Sequence, residues 1–277
     1  MIRRPALRRA PPVTAEREGS MEQKVAIVTG GAGGLGSAIC RKFSTRGAAV
    51  AVADINQEAA EQLAQSVASD GGKAIAVQVE VTDEMSVTSA VRTVVSHLGR
   101  VDFLVHCAGT NIKAPILDMS LDQWNISLEA HLTGAFLFCR EAGRQMVEQG
   151  DGGSVVLMSS VTATAPVPER GAYGPAKAAL INFAGQLGLE WARYGINVNA
   201  VCPGVALTPM TEMVYSREPE LREQRLKRFP IKREVLPEEV ADLVLFLCSK
   251  EARYINGVGI PIDGGFLNSG FYQDPES

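Results

Sequence analysis

The chain has 277 residues, a length that accommodates one large α/β domain with a substantial buried core. Its composition, 46% hydrophobic and 21% charged residues, is typical of soluble globular proteins. The net charge of −4, without any cluster of Lys and Arg interleaved with aromatic residues, argues against nucleic acid or an anionic membrane as a partner.

The first segment, residues 1–20, differs in composition from the rest of the chain. It contains five arginines and three prolines but no apolar run, so it lacks the pattern of a secretory signal peptide. The prolines would interrupt the amphipathic helix of an organelle transit peptide. We therefore expect residues 1–20 to be a disordered N-terminal extension and residues 21–277 to form a single domain.

Seven short apolar runs rich in Val, Ala and Ile follow along the chain. Their hydrophobic residues are nearly continuous rather than alternating, which is typical of strands buried on both faces of a parallel sheet. No stretch approaches the roughly 18 apolar residues that a transmembrane helix requires. The predicted strands are 25–29, 49–54, 74–79, 101–107, 154–159, 196–202 and 259–262.

Amphipathic segments separate these runs, and the predicted helices are 34–46, 57–69, 83–98, 121–148, 173–194 and 237–249. Strands that alternate with helices predict an α/β fold of the Rossmann type, a doubly wound parallel sheet with helices on both faces. Ligands bind beyond the carboxyl ends of the strands in such a sheet. The loops expected there are 110–118, 161–172 and 205–228, and we predict that the last is a partly mobile lid.

A glycine-rich sequence, TGGAGGLG, occupies positions 29–36 between the first predicted strand and the first helix. Glycines there permit a tight turn and let backbone amides approach a pyrophosphate at the helix N-terminus. Glycines also form ordinary turns, but the position at the first strand–helix junction favours dinucleotide binding. The candidate cofactor-binding residues of this loop are Gly30, Gly33, Gly34, Leu35 and Gly36.

An acidic residue, Asp54, ends the second predicted strand, 18 residues after Gly36. A carboxylate at this point can accept hydrogen bonds from both hydroxyls of an adenosine ribose, and it would repel a 2′-phosphate. The next residues, from Ile55 to Gln57, include no Lys or Arg. Asp54 and Ile55 are thus candidate cofactor residues, and NAD is favoured over NADP. The alternative is that Asp54 only caps the following helix.

Ser160, Tyr173 and Lys177 form a second set of candidate residues. Tyr173 and Lys177 are four positions apart, so they share one face of a helix. A nearby ammonium favours the phenolate form of a tyrosine, whose unperturbed pKa is about 10. Tyr173 could then exchange a proton with a carbinol oxygen that Ser160 holds by a hydrogen bond. A Tyr and a Lys at this spacing are common on helix surfaces, so the pair alone is weak support.

Together, these motifs resemble the short-chain dehydrogenase/reductase family in its shorter, single-domain, NAD-dependent form. TGGAGGLG is similar to the TGxxxGxG loop of that family, and YGPAK, which begins at Tyr173, is similar to YxxxK. Ser160 stands 13 residues before Tyr173, as the catalytic serine of the family does. Pro203 and Gly204, followed by Thr208, resemble the PGxxxxT segment, and residues 263–265 resemble a closing DGG. The resemblance extends from about residue 24 to about residue 266.

The resemblance implies a seven-stranded parallel sheet and a Ser-Tyr-Lys mechanism. It also implies that Lys177 binds the nicotinamide ribose, that Thr208 contacts the nicotinamide carboxamide, and that subunits pair into homodimers or homotetramers through helices 121–148 and 173–194. The further cofactor-binding residues that it implies are Glu80, Val81, Ala108, Gly109, Tyr173, Pro203, Gly204 and Val205.

The chain departs from the family at two places near the expected site. His131 stands where the family usually has an Asn that supports a proton-relay water, and the usual NNAG is His-Cys-Ala-Gly at 106–109. An imidazole with a pKa near 6.5 could itself relay protons, so His131 is a candidate catalytic residue, but a packed helix histidine is an equal alternative. We expect the loss of both asparagines to remove hydrogen bonds between strand ends.

These observations predict an NAD(H)-dependent oxidoreductase that transfers a hydride between nicotinamide and a secondary alcohol or ketone. One alternative is an enzyme like the 3-oxoacyl carrier-protein reductases, which would use NADPH, and Asp54 argues against it. Enoyl reductases of the same fold space the Tyr and Lys more widely. Another alternative is a non-enzymatic NAD-binding sensor, which the changes at His131 and residues 106–109 leave open.

The cysteines and histidines bear on compartment and metal binding. Five widely spaced cysteines lie in apolar stretches, so we expect buried free thiols and a cytoplasmic protein. Three scattered histidines do not form the pattern of a metal site, so no metal is expected. The sequence does not identify the alcohol or ketone.

Overall fold

The computed structural model describes residues 21–271 and places seven strands in one sheet of order β3-β2-β1-β4-β5-β6-β7. All neighbouring strands are parallel, so the predicted seven-stranded parallel sheet is confirmed. The predicted N-terminal extension lies outside the described residues. The strands are β1 (Val25–Thr29), β2 (Ala49–Asp54), β3 (Ala74–Gln78), β4 (Phe103–His106), β5 (Gly153–Met158), β6 (Ile196–Pro203) and β7 (Gly259–Ile262).

Helices cover both faces of this sheet, as predicted. Apolar residues of α1, α2 and α9 pack on one face, and those of α3, α5 and α6 pack on the other. None of the described helices is long and apolar enough to cross a bilayer. The helices are α1 (Gly34–Thr45), α2 (Gln57–Ser69), α3 (Glu84–Leu98), α4 (Leu121–Leu128), α5 (Gly134–Gln149), α6 (Tyr173–Trp191), α7 (Pro209–Arg217), α8 (Pro219–Lys227) and α9 (Pro237–Leu247).

The order of the strands reverses between β1 and β4, and a crevice is expected at that point. The ends of these two strands are tied by His106, whose Nδ1 lies 2.9 Å from the Thr29 hydroxyl oxygen in a fully buried contact. The expectation that residues 106–109 would lose their hydrogen bonds between strand ends was therefore wrong at this position. The imidazole of His106 forms the hydrogen bond to β1 that we expected to be lost with the asparagine.

The predicted helix 121–148 is interrupted in the structure. A π-helical turn, Glu129–Thr133, joins α4 to α5. Such turns insert an extra residue into a helix and are frequent at functional sites. His131 lies in this turn and is buried. The hydrophobic pattern did not predict the turn, because an inserted residue leaves both flanking halves helical.

The segment predicted as a loop, 205–228, contains two helices, α7 and α8. Each begins with a proline at its first position, Pro209 and Pro219, where the missing N–H removes no helix hydrogen bond. α8 has no buried residue, so it carries no amphipathic pattern from which a helix could be predicted. The proposed mobility of this lid remains a prediction.

Candidate active site

The glycine-rich turn after β1 forms a cradle that side chains would fill. Gly30 has a φ of +61°, and a Cβ atom there would lie 2.9 Å from the amide nitrogen of Ala108. A Cβ on Gly36 would overlap the carbonyl oxygen of Gly30. Only glycine fits these two positions, because the turn packs directly on the backbone after β4.

The N-terminus of α1 is open toward this cradle. Gly33 is the N-cap, no side chain caps the helix, and the first turn contains no acidic residue. The amides of Gly34 and Leu35 therefore belong to a helix end that favours an anion. A Cβ on Gly34 would lie 2.8 Å from Cβ of Thr208, so the lid begins directly against the glycine turn.

Asp54 binds the same turn from the end of β2. Its Oδ2 accepts a hydrogen bond from the amide of Ala32 at 3.0 Å, and its Oδ1 accepts one from the amide of Asn56 at 3.0 Å. Asn56, not Asp54, caps α2, since its side chain accepts from the amide of Ala59 at 3.1 Å. The alternative that Asp54 serves only as the helix cap was therefore wrong. Two of about four acceptor positions on the Asp54 carboxylate remain for other donors.

Other predicted cofactor residues surround the crevice. Ile55 is exposed beside Asp54. One carboxylate oxygen of Glu80 is already engaged, because it accepts hydrogen bonds from the amide of Thr82 at 3.1 Å and from the hydroxyl of Thr82 at 2.8 Å. Val81 packs against Gly134, where an added Cβ would lie 3.0 Å from Cγ2 of Val81. The roles of Glu80 and Val81 in cofactor binding remain predictions.

Backbone hydrogen bonds join the Pro-Gly segment after β6 to β7 and to the residues before α9. The amide of Gly204 donates to the carbonyl oxygen of Ile262 at 3.0 Å, and the carbonyl oxygen of Val205 accepts from Val235 at 3.0 Å. Pro203 is the last residue of β6. Thr208 caps α7, with its Oγ1 3.4 Å from the amide of Thr211. This segment therefore runs from the end of β6 to the glycine-rich turn, on the side of the crevice where the nicotinamide is expected.

The three candidate catalytic residues lie together where β5 ends and α6 begins; they are Ser160, Tyr173 and Lys177. Ser160 follows β5, and Tyr173 is the first residue of α6. Lys177 Nζ lies 5.5 Å from the centre of the Tyr173 ring and donates to the carbonyl oxygen of Met158 at 2.6 Å. Ser159 ties the two elements together, since its hydroxyl donates to the carbonyl oxygen of Lys177 at 2.7 Å. The structure therefore places the three predicted residues together.

Burial dominates the ionisation of this group. It raises the pKa of Tyr173, although hydrogen bonding from Ser160 and the charge of Arg170 act in the opposite direction. Burial also lowers the pKa of Lys177 to about 8. The expectation that an adjacent ammonium depresses the pKa of Tyr173 is not met in this structure, because the loss of hydration of the phenolate outweighs the nearby charges.

Three comparisons with known proteins agree with the fold. A family model described as "Enoyl-(Acyl carrier protein) reductase" matches residues 30–267. D-threitol dehydrogenase from Mycolicibacterium smegmatis is 37% identical over 247 residues, 89% of this chain and 94% of that protein. The solved structure of a short-chain type dehydrogenase/reductase from Mycobacterium ulcerans superimposes with a TM-score of 0.86 at 28% identity, covering 90% of this chain and 91% of that one. The chain belongs to the short-chain dehydrogenase/reductase family.

A third relative bears on the cofactor and the substrate. NAD-dependent glycerol dehydrogenase from Listeria innocua is 34% identical over 251 residues, 91% of this chain and 96% of that protein. This short-chain dehydrogenase/reductase is accordingly an enzyme that acts on CH–OH groups with a nicotinamide cofactor. No described group of three or more His, Cys, Asp and Glu side chains, within residues 21–271, is placed to hold a metal ion.

His131 lies against Tyr173, the candidate catalytic tyrosine of this short-chain dehydrogenase/reductase. The two rings meet edge to face with centroids 5.3 Å apart, and Nε2 of His131 lies 2.9 Å from the carbonyl oxygen of Thr110. A Cβ on Gly109 would overlap the imidazole, so this glycine provides the space that the ring fills. Burial, followed by the charge of Lys177, lowers the pKa of His131 to about 3. The expected pKa near 6.5 was therefore wrong, and the imidazole is neutral at physiological pH.

Two residues near the site were missed by the sequence analysis. Arg170 lies in the loop before α6, with its guanidinium carbon 5.8 Å from the centre of the Tyr173 ring. Its Nη1 donates to Oδ1 of Asn111, in the loop after β4. The sequence did contain a signal for Arg170: it is a charged residue three positions before Tyr173, in the loop 161–172 that was predicted to lie beside the substrate.

Proposed function

We propose that the protein is an NAD(H)-dependent dehydrogenase of secondary alcohols, including diols or polyols, that uses Ser160, Tyr173 and Lys177. The observation that carries the proposal is the convergence of the three side chains at the carboxyl end of the sheet, beside the cradle after β1. The similarity to dehydrogenases of threitol and glycerol supports the substrate class.

The residues of the crevice fit a dinucleotide. The open N-terminus of α1 would hold the pyrophosphate, and the unused acceptor positions of Asp54 would hold the adenosine ribose hydroxyls. The carboxylate of Asp54 supports NAD rather than NADP, because it would repel a 2′-phosphate. When bound, the nicotinamide supplies hydride acceptor and donor chemistry to the site.

Tyr173 would exchange the proton of the carbinol oxygen. In alcohol oxidation its phenolate accepts that proton, and in ketone reduction its phenol donates it, while Ser160 Oγ holds the same oxygen. Lys177 retains two N–H donors beyond its bond to Met158, and these would bind the nicotinamide ribose. Because the pKa of Tyr173 is raised, oxidation becomes faster as pH rises and ketone reduction becomes slower.

Two alternatives fit less well. A reductase like the 3-oxoacyl carrier-protein enzymes would need NADPH, and Asp54 opposes the 2′-phosphate of that cofactor. A binding-only sensor would not require a buried lysine beside a half-buried tyrosine, since burying an ammonium is costly.

We further propose a homodimer or homotetramer in the cytoplasm. A groove of about 620 Å³ runs between α5 and α6, with the apolar side chains of Phe136, Phe183 and Trp191 among its lining. A second copy of the chain would cover this face. All five cysteines are free thiols, four of them buried, which is common in a reducing compartment.

The first experiment measures NADH formation across secondary alcohols and polyols, with the wild type, Tyr173→Phe and Tyr254→Phe. Tyr254 is fully exposed and serves as the matched control. We expect Tyr173→Phe to lower kcat by about 10³-fold, the scale of general acid–base catalysis, and the control to match the wild type. Activity that survives in Tyr173→Phe would contradict the mechanism.

The same assays, repeated with NADP, test the cofactor assignment. We expect Asp54→Ser to reduce the preference for NAD over NADP by about tenfold, or about 1.4 kcal/mol, because the substitution removes the repulsion of the 2′-phosphate. An equal rate with NAD and NADP in the wild type would contradict the role of Asp54.

A further inference from the structure

The backbone around Arg170 holds this residue in a defined position beside Tyr173. Glu169 has a φ of +60°, which is unfavourable for a residue with a side chain, and Gly171 follows with a φ of +32°. The carbonyl oxygen of Glu169 accepts from the amide of Ala114 at 3.1 Å, and that of Arg170 accepts from the amide of Tyr173 at 2.7 Å. These two backbone hydrogen bonds, one across a short bridge to residue 114 and one closing a turn, therefore fix the loop from which the Arg170 side chain extends.

The charge of Arg170 has no counterion within the described chain. The side chain is half-buried, yet no described carboxylate lies within salt-bridge distance of it. It contacts a neutral amide, that of Asn111, and the ring of Tyr173. Burial and the positive charge of Arg225 on α8 both lower the pKa of Arg170, although an arginine stays protonated throughout the physiological range.

The Arg170 side chain lies beside Tyr173, between the start of α6 and the loop after β4. Asn111, which accepts its hydrogen bond, also approaches the sulfur of Met210 at 3.5 Å through its own Nδ2. These contacts connect the loop before α6, the loop after β4 and the first turn of the lid helix α7. Arg170 is therefore within reach of a substrate whose carbinol oxygen lies at Tyr173.

We propose that Arg170 binds an anionic group of the substrate, so that, among the secondary alcohols that the enzyme oxidises, hydroxy acids or phosphorylated hydroxy compounds are oxidised more efficiently than their neutral counterparts. This inference rests on the proposed function of the Tyr173 site. The shared chemistry is a carboxylate or phosphate within a few bonds of the carbinol.

An anion fits Arg170 better than a hydroxyl group does. A partly desolvated cation without a counterion is unfavourable, and an anionic ligand would compensate it on binding. The guanidinium fork matches two oxygens of a carboxylate or phosphate, and such charge-assisted pairs are stronger than neutral hydrogen bonds. Asn111 would then act as a positioning residue that orients the fork.

The test compares matched substrate pairs with NAD: 3-hydroxybutyrate against 1,3-butanediol, and 2-hydroxypropyl phosphate against 1,2-propanediol. We expect the wild type to favour the anionic member of at least one pair by about 30-fold in kcat/KM, within the range of charge-assisted hydrogen bonds. Arg170→Met should lower that kcat/KM by about 100-fold, mostly through KM, and the value for the neutral member much less.

Two further variants separate charge recognition from loop structure. Arg170→Lys keeps the charge but not the fork, so we expect an intermediate loss of about tenfold. Arg92→Met removes one exposed positive charge on α3 and should leave the preference unchanged. If the neutral members are oxidised equally well, or if Arg170→Met lowers both members alike, the inference is wrong while the proposed function stands.

A binding measurement decides the inference without turnover. NADH fluorescence in the enzyme–NADH complex is titrated with acetate, inorganic phosphate and, as a neutral comparison, acetamide. We expect saturable binding of at least one anion, weaker by about tenfold in Arg170→Met, and none of acetamide. Anion binding that is absent, or equal in wild type and Arg170→Met, would overturn the inference even if no tested alcohol is oxidised.

Discussion

Lys177 is charged and fully buried, and its pKa of about 8 has a consequence for stability. The folded chain binds this proton less tightly than the unfolded chain, where the ordinary value is 10.5. Below pH 8 the group is charged in both states, and burying it costs about 3 kcal/mol by linkage. This cost declines as pH rises from 8 to 10.5, so Lys177 destabilises the fold at neutral pH in order to hold an ammonium at the site.

We therefore predict that Lys177→Met raises the free energy of unfolding at pH 7 by about 2 kcal/mol, since the lost bond to Met158 offsets about 1 kcal/mol of the relief. Urea unfolding at pH 7 and at pH 10 measures the effect, which should diminish at the higher pH. Lys113→Met, at an exposed position, is the control. A variant less stable than the wild type by the same amount at both pH values would contradict the assignment.

His131 contributes to the site by packing rather than by titration. Its pKa of about 3 leaves the ring neutral above pH 5, and the ring fills the space beside Gly109 and Tyr173. We predict that His131→Asn leaves the pH profile of kcat unchanged between pH 5 and pH 8. The free energy of unfolding should fall by about 1–2 kcal/mol, because an edge-to-face ring pair and apolar contacts are lost.

Kinetic pH profiles and urea unfolding of His131→Asn are compared with those of His97→Asn, an exposed histidine on α3. The control should match the wild type in both measurements. A displaced profile in His131→Asn, with stability intact, would instead support the relay role that the sequence left open.

At the scale of elements, buried strands were predictable and the lid was not. The central strands, β1, β2, β4, β5 and β6, are apolar and buried along nearly their whole length, so their pattern is local and continuous. β3 and β4 are slightly shorter than predicted, β3 by one residue at its end and β4 by two residues at its start and one at its end. α8 packs no residue into the core, and its only local signal is Pro219 at its first turn.

The candidate site was predictable where spacing on one element defines it. Tyr173 and Lys177 lie one turn apart on α6, and the glycines of 29–36 lie in one turn, so each set is visible in the sequence. Arg170 and Asn111 are 59 positions apart and meet only because two loops converge at the same end of the sheet. Likewise, the bond between His106 and Thr29 requires the register of β1 with β4.

At the scale of the whole molecule, the groove between α5 and α6 is the surface that we propose for pairing. Trp191 lies against Gly143, where a Cβ would approach the indole to 2.6 Å, so the absence of a side chain there lets the ring settle between the helices. Phe136 remains 44% exposed on the rim, and Val147 is 40% exposed. An exposed apolar surface that follows two long helices is typical of a self-association face.

We predict that the wild type sediments as a dimer or tetramer and that Phe136→Glu shifts it toward the monomer. A carboxylate at this rim would replace the apolar ring and be desolvated in the paired state, even beside Arg140, whose guanidinium carbon lies 5.2 Å from the Phe136 ring centre; the cost is several kcal/mol per interface copy, on the order of a 10²- to 10³-fold weaker association. Sedimentation velocity over a range of concentrations measures the change. Met85→Glu on α3, equally apolar in the wild type and 79% exposed, should leave the assembly intact. A monomeric wild type, or an assembly that tolerates Phe136→Glu as well as Met85→Glu, would exclude this face as the interface.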